Sequence, residues 1–271
     1  MRDTNAGIAA GAVFDRLAPD YDDLFTDSQI GRAQRNAVWK VLLKTFHLQD
    51  NILELNCGTG EDALFLGGNG ISVFACDASQ GMIARARERL AQTPSPLPVI
   101  FCHMPTERIA TLGPALRFDG VLSNFSGLNC VQDIAAVATS LAALVKRGDR
   151  LLLCFSTRIC LIEILYYAAR GEIRKGLRRV KGASEATLDG VPLTVYYHGR
   201  RQLRRAFAPH FRLRSTTGIG VAVPPSYLEF WVHRHTRTFA LLCGLEGYLA
   251  KLPLLRSTGD HVLLCFEKVT P

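Results

Sequence analysis

Strand-like and helix-like segments alternate along this chain from about residue 30 to residue 156. Short apolar runs, of which NILELN at residues 51–56 is the first, are separated by stretches whose apolar residues recur at helical spacing. A repeated β-α order favours right-handed crossovers, parallel strands and helices on both faces of one sheet. The sequence therefore predicts an α/β fold with a doubly wound, mostly parallel sheet.

The predicted elements of this region carry ordinary local signals. The helix at residues 79–92, for example, begins at a capping serine and ends in a basic turn. The predicted strands are residues 51–56, 71–77, 97–104, 118–125 and 149–156. The predicted helices are residues 32–46, 61–69, 79–92 and 134–148.

The alternation breaks after residue 156. Residues 162–180 are predicted to be helical, and residues 186–199 to form a hairpin around Asp189 and Gly190. A helix, a strand, a helix and a strand follow at residues 200–211, 212–223, 237–252 and 260–269. We therefore expect four parts: an N-terminal lid segment (1–30), a core (31–156), a helical and hairpin cap insertion (157–200) and the C-terminal part of the core sheet (201–271).

Composition limits the class of protein. With 271 residues, 48% of them hydrophobic, the chain can form one large core with an added cap. No apolar run approaches the ~18 residues of a membrane helix, and the N-terminus lacks the basic start and apolar stretch of a signal peptide. The eight cysteines form no CxxC pair, which favours free thiols over disulfides or zinc. We expect a cytoplasmic protein with no bound metal.

A glycine-rich turn and two acids point to a nucleotide-like ligand. Residues 58–63, GTGEDA, fit the G-x-G-x-x-A pattern between a strand and a helix. Asp77 closes the next strand, where an acid can accept hydrogen bonds from both ribose hydroxyls. Glu54 would repel the pyrophosphate of a dinucleotide, whereas a cationic ammonium group requires such an acid. Electrostatics therefore favours S-adenosylmethionine over a dinucleotide.

Four segments resemble the motifs of class I S-adenosylmethionine-dependent methyltransferases, and the resemblance covers nearly the whole chain. They are ILELNCGTG, VFACDAS with Met82, FDGVLSNFSGLN and LVKRGDRLLLCF. The opening FDRLAPDYDDLF is similar to the lead-in of the ubiquinone/menaquinone-biosynthesis and other small-molecule branches. The resemblance implies a seven-stranded Rossmann-like sheet with S-adenosylmethionine as cofactor.

Two positions depart from the family pattern. Asn56 stands where the family has its first glycine, and asparagine tolerates a positive φ better than other non-glycine residues. CHMPTE lacks the usual acid after the third strand, so adenine recognition there differs. The cofactor-binding residues that the resemblance implies are Tyr21, Arg32, Glu54, Asn56, Gly58, Gly60, Asp77, Ala78, Met82, Met104, Asn124 and Phe125.

Arg32 is assigned by its spacing to Glu54, which is similar to that in glycine N-methyltransferase, whose arginine binds the cofactor carboxylate. The alternative for Arg32 is a solvated helix residue, as we expect for Arg35. Tyr21 is expected to close over the methionyl end, with lid packing as its alternative.

The cofactor implies a mechanism in which the enzyme aligns an acceptor with an activated methyl group and excludes water. An O–H or acidic C–H acceptor also requires a base, for which His103, Tyr197 and His198 are candidates, although each has a structural alternative. We assign no catalytic residue. Asn129, Tyr197 and His198 are the expected substrate contacts. The chain lacks an Asn/Asp-Pro-Pro-Tyr tetrad, which argues against adenine N6 or glutamine methylation.

Positive charge is concentrated in one segment. Residues 170–214 carry twelve Lys or Arg and three acids, whereas the whole chain has a net charge of +8. This segment permits three interpretations: a solvated basic face, a peripheral membrane or anionic-lipid contact through residues 170–205, and RNA binding. No RNA-binding module is recognisable, and residues 164–167 could supply an apolar edge for a membrane.

The leading hypothesis is a small-molecule methyltransferase, with lipid-like and anionic acceptors as candidate classes. The alternatives are an RNA or protein methyltransferase and a non-catalytic S-adenosylmethionine-binding protein. The sequence leaves open the acceptor, the methylated atom and the oligomeric state.

Overall fold

A computed structural model describes residues 5–113, 116–188 and 190–270. Its centre is a seven-stranded sheet with the strand order β3-β2-β1-β4-β5-β9-β8. The strands of this sheet are β1 (Asn51–Leu55), β2 (Ser72–Asp77), β3 (Val99–His103), β4 (Phe118–Ser123), β5 (Val145–Ser156), β8 (Phe211–Ile219) and β9 (His261–Lys268). A separate two-stranded sheet pairs β6 (Ala183–Leu188) with β7 (Val191–Tyr196).

Strands β1 to β5 run parallel, and β9 lies antiparallel between β5 and β8. From β1 the chain adds β2 and β3 toward one edge of the sheet, and from β4 onward it adds strands toward the other edge. Open α/β sheets bind ligands at this switch point between β1 and β4. The predicted fold class, a mostly parallel seven-stranded Rossmann-like sheet with an added hairpin, is confirmed.

Helices cover both faces of the sheet. The helices of the described residues are α1 (Asn5–Leu17), α2 (Gln29–Thr45), α3 (Glu61–Gly68), α4 (Gln80–Ala91), α5 (Ile134–Leu144), α6 (Leu161–Ala168), α7 (Ile173–Gly176), α8 (Arg200–Phe207), α9 (Glu229–Arg234) and α10 (Thr236–Leu249). Alternate strand residues supply two cores: one packs against α5 and α8, and the other against α2, α3 and α4. The strands are almost continuously apolar because both faces of the sheet are buried.

The N-terminal segment is helical and lies on the core. Asp15 of α1 accepts hydrogen bonds from Ser79 Oγ (2.6 Å) and from the Gly81 amide (2.8 Å), both at the start of α4. After α1, a π-helical turn (Asp22–Thr26) places Asp22 Oδ1 2.6 Å from Thr59 Oγ1 in the glycine-rich turn. The segment that the sequence marks only as a lid is therefore tied to two motifs of the site.

The cap differs from its prediction. The expected continuous helix over residues 162–180 is divided into α6, α7 and a 3₁₀ turn (Arg178–Lys181). Gly171 breaks it at φ +75°, and Gly176 lets α7 pack directly against the backbone of Ile164 in α6. The hairpin forms as predicted, with Asp189 itself outside the described residues. The four-part domain division stays a prediction.

Candidate cofactor and acceptor site

A cavity of about 520 Å³ lies at the carboxyl ends of β1, β2 and β4, at the switch point of the sheet. Its volume falls within the roughly 300–1,000 Å³ of small-molecule sites. Helix α1 and the π-helical turn cover one side, and the cap covers another. Of the predicted cofactor-binding residues, eight contribute to its walls: Tyr21, Asn56, Gly58, Asp77, Ala78, Met82, Asn124 and Phe125; of the predicted substrate contacts, Tyr197 does so.

The glycine-rich turn has the backbone that its sequence predicts. Asn56, Gly58 and Gly60 have φ values of 56°, 55° and 81°. A side chain at Gly60 would meet Phe101 at 2.6 Å, so only glycine fits there. Asn56 adopts the left-handed conformation because its Oδ1 accepts from Thr106 and Ser123 hydroxyls, at 3.3 Å each. The turn thus survives the loss of the first glycine.

Asp77 closes β2 and faces the cavity. Its Oδ2 accepts from the Gly58 amide at 2.9 Å and its Oδ1 from the Ser79 amide at 2.8 Å. Burial raises the pKa of this carboxyl, and the two amide hydrogen bonds oppose the shift. Each oxygen keeps a second lone pair, so Asp77 can accept from two ribose hydroxyls.

Glu54 lies behind the cavity wall. Its side chain is 1% exposed, and its Oε2 has no hydrogen-bond partner among the described residues. Burial, together with the charge of Asp62, raises its pKa well above the ordinary value. An unpartnered buried carboxylate is costly. A cation bound in the cavity would stabilise its ionised form, which fits a cofactor that carries an ammonium group.

Arg35, and not Arg32, is the arginine at the cavity. Arg32 is on the exterior of α2, with 65% of its side chain exposed and paired with Asp27 at 2.7 Å. Arg35 is 6% exposed, lines the cavity and donates to Asp62 Oδ2 at 2.7 Å. The expectation of a solvated Arg35 is wrong, and the place expected for Arg32 is taken by Arg35.

Asp62 is a fully satisfied carboxylate. It also accepts from Trp39 Nε1 at 2.6 Å and from Asn124 Nδ2 at 2.9 Å. Trp39 and Asn124 hold the Asp62 carboxylate in place, and Asp62 in turn fixes the Arg35 guanidinium at the cavity wall, where it could pair with a cofactor carboxylate. The sequence places Asn124 near the transfer path, but its amide serves this network.

Aromatic rings line the cavity next to Arg35. Tyr21 packs edge-on to Phe14 and tilted against Phe25, and Phe25 packs edge-on to Phe125 with ring centroids 5.0 Å apart. Burial raises the pKa of Tyr21 to about 12. The Arg35 guanidinium lies 4.9 Å from the centre of the Phe125 ring. These rings make this part of the cavity wall apolar.

Two strained residues follow β4. Phe125 and Ser126 have φ values of 44° and 69°, a conformation rarely adopted by residues with a side chain. Both line the cavity, and Ser126 Oγ lies 2.6 Å from Ser156 Oγ of β5. Sequence reasoning identified Phe125 but not this strain, because neither residue type signals a positive φ.

The part of the cavity wall next to the cap contains a network of ion pairs that the sequence did not predict. Arg179 of the cap lies 2.6 Å from Glu163 and 2.8 Å from Asp260, and Arg178 lies 2.6 Å from Glu163. Both arginines and Asp260 line the cavity. The partners come from three distant segments, so only the folded chain brings them together.

Some predicted residues lie outside the cavity walls. Asn129 is fully buried and joins the Tyr196 carbonyl (2.6 Å) to the Ser156 amide (2.9 Å), which fixes the hairpin to β5. His198 contacts the Val131 carbonyl at 3.2 Å, and burial lowers its pKa. Met104 packs against a core cluster and donates its amide to Asp77. Direct ligand contact by these three side chains stays a prediction, and the structure gives each of them a packing or hydrogen-bonding role.

Two features are absent from the described residues. No three His, Cys, Asp or Glu side chains of those residues are grouped as a metal site would require. Within the same part of the chain, no helix is long and apolar enough to cross a membrane.

Comparison with known proteins agrees with this geometry. Residues 52–148 match the family model described as a methyltransferase domain. The chain is 31% identical over 150 residues to a demethylmenaquinone methyltransferase of Clavibacter sepedonicus, covering 54% of this chain and 58% of the relative. It is 28% identical over 148 residues to a 2-phytyl-1,4-naphtoquinone methyltransferase of Synechococcus elongatus, covering 52% and 61%. The chain thus spans about three fifths of the length of these curated relatives.

Solved structures share the fold over almost the whole chain. The [4+2]-cyclase SpnF matches with a TM-score of 0.64 at 16% identity, covering 98% of this chain and 97% of that one. The DhpI–SAH complex matches with a TM-score of 0.60 at 16% identity, covering 99% and 100%. A magnesium protoporphyrin IX methyltransferase from Synechocystis, with bound SAM, has a TM-score of 0.51 at 14% identity, covering 89% and 79%.

The fold is that of the class I S-adenosylmethionine-dependent methyltransferases. The resemblance found in the motifs is confirmed over residues 52–148, which match a methyltransferase domain, and S-adenosylmethionine is the cofactor of that class.

Proposed function

We propose that this protein transfers a methyl group from S-adenosylmethionine to a small, largely apolar molecule. The observation that carries the proposal is a single cavity, one end of which has the glycine-rich turn, Asp77 and Arg35, while the other is lined by the cap. When bound, the cofactor supplies a methyl group activated by its positive sulfur. The residues of the chain bind, orient and enclose the two reactants.

Each part of the cofactor has a candidate partner. Gly58 leaves open space beside the turn, since a Cβ there would find its nearest neighbour, Tyr21, at 3.9 Å. Asp77 would hold the ribose hydroxyls, and Ala78 and Met82 would contact the adenine. Arg35 would pair with the carboxylate, and the ionised form of Glu54 would favour the ammonium group.

The acceptor end supports an apolar and uncharged substrate. Leu17, Leu193, Val195 and Pro225 line it. The two arginines that reach it are paired with Glu163 and Asp260, so neither carries a free positive charge for an anionic acceptor. The quinone methyltransferases among the relatives agree with a lipid-like aromatic acceptor.

The cap supports peripheral contact with an anionic membrane. On its elements Leu165, Leu177 and Val180 are 60%, 42% and 47% exposed, beside the basic side chains of Arg174 and Lys181. Exposed apolar side chains among cations are typical of membrane-surface binding. The wild-type protein should sediment with anionic vesicles, and the double variant Leu165→Ser/Leu177→Ser should not. Equal binding of the wild type to neutral and to anionic vesicles would contradict the contact.

Calorimetry with S-adenosylhomocysteine, the product of the cofactor, tests the proposed site. We expect binding to the wild type, and a loss of about 1.5–3 kcal/mol in Asp77→Ala, the scale of a hydrogen bond to a charged group. NAD should not bind. Tight NAD binding without any response to S-adenosylhomocysteine would contradict the proposal.

Transfer of a radiolabelled methyl group tests the activity itself. The acceptors are an alkylated 1,4-naphthohydroquinone, a structured RNA and an unmodified protein extract. Label on the hydroquinone alone supports the proposal; label on RNA or protein supports the alternatives. Binding without transfer to any acceptor would favour a non-catalytic role. The cyclase among the structural neighbours shows why binding and transfer require separate tests.

A further inference from the structure

His261 is a histidine on the cavity wall, which sequence reasoning did not single out. It is the first residue of β9 and pairs in register with Ser156 of β5. Its ring packs edge-on to Phe125, with centroids 5.5 Å apart, and it lines the cavity together with Ser126 and Ser156. It therefore lies beside the strained Phe125–Ser126 turn, between the cofactor end and the cap.

The two ring nitrogens of His261 have different surroundings. Nδ1 is enclosed by protein and lies 3.4 Å from Asp260 Oδ2, without the alignment of a hydrogen bond. The described residues provide no hydrogen-bond partner for Nε2. A proton on Nδ1 is favoured by the neighbouring carboxylate, which leaves the Nε2 lone pair free toward the cavity. Catalytic hydrogen bonds are often poorly aligned before substrate binds.

Asp260 is itself held by the cap. Arg179 donates to its Oδ1 at 2.8 Å and to its backbone carbonyl at 3.1 Å, and Gln34 lies 3.4 Å from its Oδ2. Asp260 is 6% exposed. The carboxylate that faces His261 is therefore fixed from two sides, and one of these contacts exists only when the cap is docked.

Tyr21, Cys130 and Asp62, which also line the cavity, are poor proton acceptors. Burial raises the pKa of Tyr21 and of the Cys130 thiol to about 12, so both remain protonated at neutral pH. Asp62 is occupied by three donors. The sequence candidate His198 is hydrogen-bonded outside the walls. His261 is the neutral base that the cavity presents.

We propose that His261 is the general base of the reaction, oriented by Asp260 and, through it, by Arg179, and that the acceptor is a hydroxyl of the phenol or enol class. The proposal rests on the proposed methyl transfer. As the acceptor oxygen forms its bond to the methyl carbon, the carbon–sulfur bond breaks and its electron pair stays on sulfur. The hydroxyl proton moves to Nε2, and the resulting imidazolium is stabilised by the Asp260 carboxylate.

The charged groups around His261 allow this role near neutral pH. Burial lowers its pKa, Asp260 raises it, and Arg179 lowers it. Arg35 lies over the same Phe125 ring that His261 contacts. The imidazole is therefore neutral above its lowered pKa. Activity should be present there and should be lost as pH falls through that value.

The first test needs no turnover. Histidine ¹⁵N spectra of the full-length protein with S-adenosylhomocysteine should show a neutral His261 protonated on Nδ1, with a pKa below the ordinary 6.5. Asp260→Asn should lower this pKa further and mix the tautomers. A His261 that titrates at its ordinary value and does not respond to Asp260→Asn would overturn the proposal, whatever the acceptor is.

The second test uses the alkylated naphthohydroquinone with labelled cofactor. His261→Gln should reduce kcat about 10²–10⁴-fold, the usual contribution of a general base, and remove the acidic limb of the pH profile. Its affinity for S-adenosylhomocysteine should be unchanged. The exposed His47→Gln serves as the control.

The two proposals fail in different ways. Labelled product formed equally by the wild type and His261→Gln would overturn the role of His261 and leave methyl transfer intact. Absence of cofactor binding or of product in the wild type would instead contradict the proposed function, and the spectra would then decide the state of His261.

Discussion

Two buried carboxylates at the cofactor end have opposite surroundings. Asp62 accepts from three side chains, whereas Glu54 Oε2 has no partner among the described residues. A satisfied buried carboxylate holds structure together, and an unsatisfied one weakens the ligand-free fold. We infer that Glu54 is retained for the ligand and Asp62 for the fold.

Glu54→Gln should therefore raise the free energy of unfolding of the ligand-free protein by about 1 kcal/mol, because it removes the cost of a buried charge. Asp62→Asn should lower it by about 3 kcal/mol, because it leaves Arg35 without its buried partner. Urea denaturation measures both. Loss of stability in both variants would mean that Glu54 also has a structural partner.

Arg35→Ala should weaken S-adenosylhomocysteine binding by tenfold or more, since a charge-assisted contact contributes about 1.5–3 kcal/mol. Arg35→Lys should restore it only in part, because an ammonium cannot form the planar pair. Arg32→Ala is the matched control and should stay within about twofold, because Arg32 is exposed. A cofactor analogue without the carboxylate should bind the wild type and Arg35→Ala equally; discrimination between them would refute the pairing.

These residues show where sequence reasoning succeeds. The positions of the glycine-rich turn, Asp77 and Asn56 at the cavity could be predicted because a turn and a strand end are local features. The residues that determine the backbone conformation there are adjacent in sequence. The choice between Arg32 and Arg35 depends on which face of α2 meets the sheet. Sequence spacing alone does not distinguish two arginines that are three positions apart on a helix. The residue that fixes Arg35 at the cavity is Asp62, 27 residues away in sequence.

At the scale of elements, α1 is placed by a close backbone contact. A Cβ on Gly11 would collide with the Ala78 carbonyl, at the start of the loop that the site uses. Helix α10 offers a contrast, because a Cβ on Gly244 would meet nothing within 4 Å. The same residue type thus serves packing in one helix and not in the other.

Gly11→Ala should displace α1 and weaken S-adenosylhomocysteine binding about tenfold, since overpacking a close contact costs about 1–3 kcal/mol. Gly244→Ala should leave binding unchanged and stabilise the protein by about 0.5–1 kcal/mol, the advantage of alanine inside a helix. Calorimetry and thermal unfolding measure the two effects. Unchanged cofactor affinity in Gly11→Ala would remove α1 from the binding site.

The regular elements of the core were predictable because each carries its own period and cap; Ser79, for example, accepts from the Met82 amide as a helix N-cap. Helix α9 and the division of the cap helix could not be predicted from the sequence. Their courses depend on long-range contacts, such as Glu229 accepting the Gln29 and Ile30 amides at the start of α2.

At the scale of the whole molecule, titratable groups couple stability to the ligand. The pKa of Glu54 is raised in the fold, so the ligand-free protein retains a proton that the unfolded chain loses above about pH 4.5. Its contribution to stability therefore falls as pH rises through this window. His198 and His261 have lowered pKa values and the opposite sign: they reduce stability as pH falls below 6.5.

The increase in Tm caused by S-adenosylhomocysteine should grow as pH rises above 4.5, the ordinary pKa of glutamate, because the ligand's ammonium favours ionised Glu54. At 100 times Kd the stabilisation is about 2.7 kcal/mol, or roughly 5–10 °C for a domain of this size. The histidine effects largely cancel in the difference. Thermal unfolding of Glu54→Gln should show no such pH trend; a trend equal to that of the wild type would assign the coupling to another group.

The hydrogen bonds that Asp15 and Asp22 accept hold the N-terminal segment against α4 and the glycine-rich turn. If the product of the proposed reaction leaves past that segment, these contacts must break first. Chemistry and departure are then separate events, and the slower one limits the steady rate. If departure is the slower, one equivalent of product per enzyme should accumulate rapidly on mixing, followed by a slower linear phase. Removing either aspartate would shorten the residence time of the spent cofactor and make that initial burst disappear.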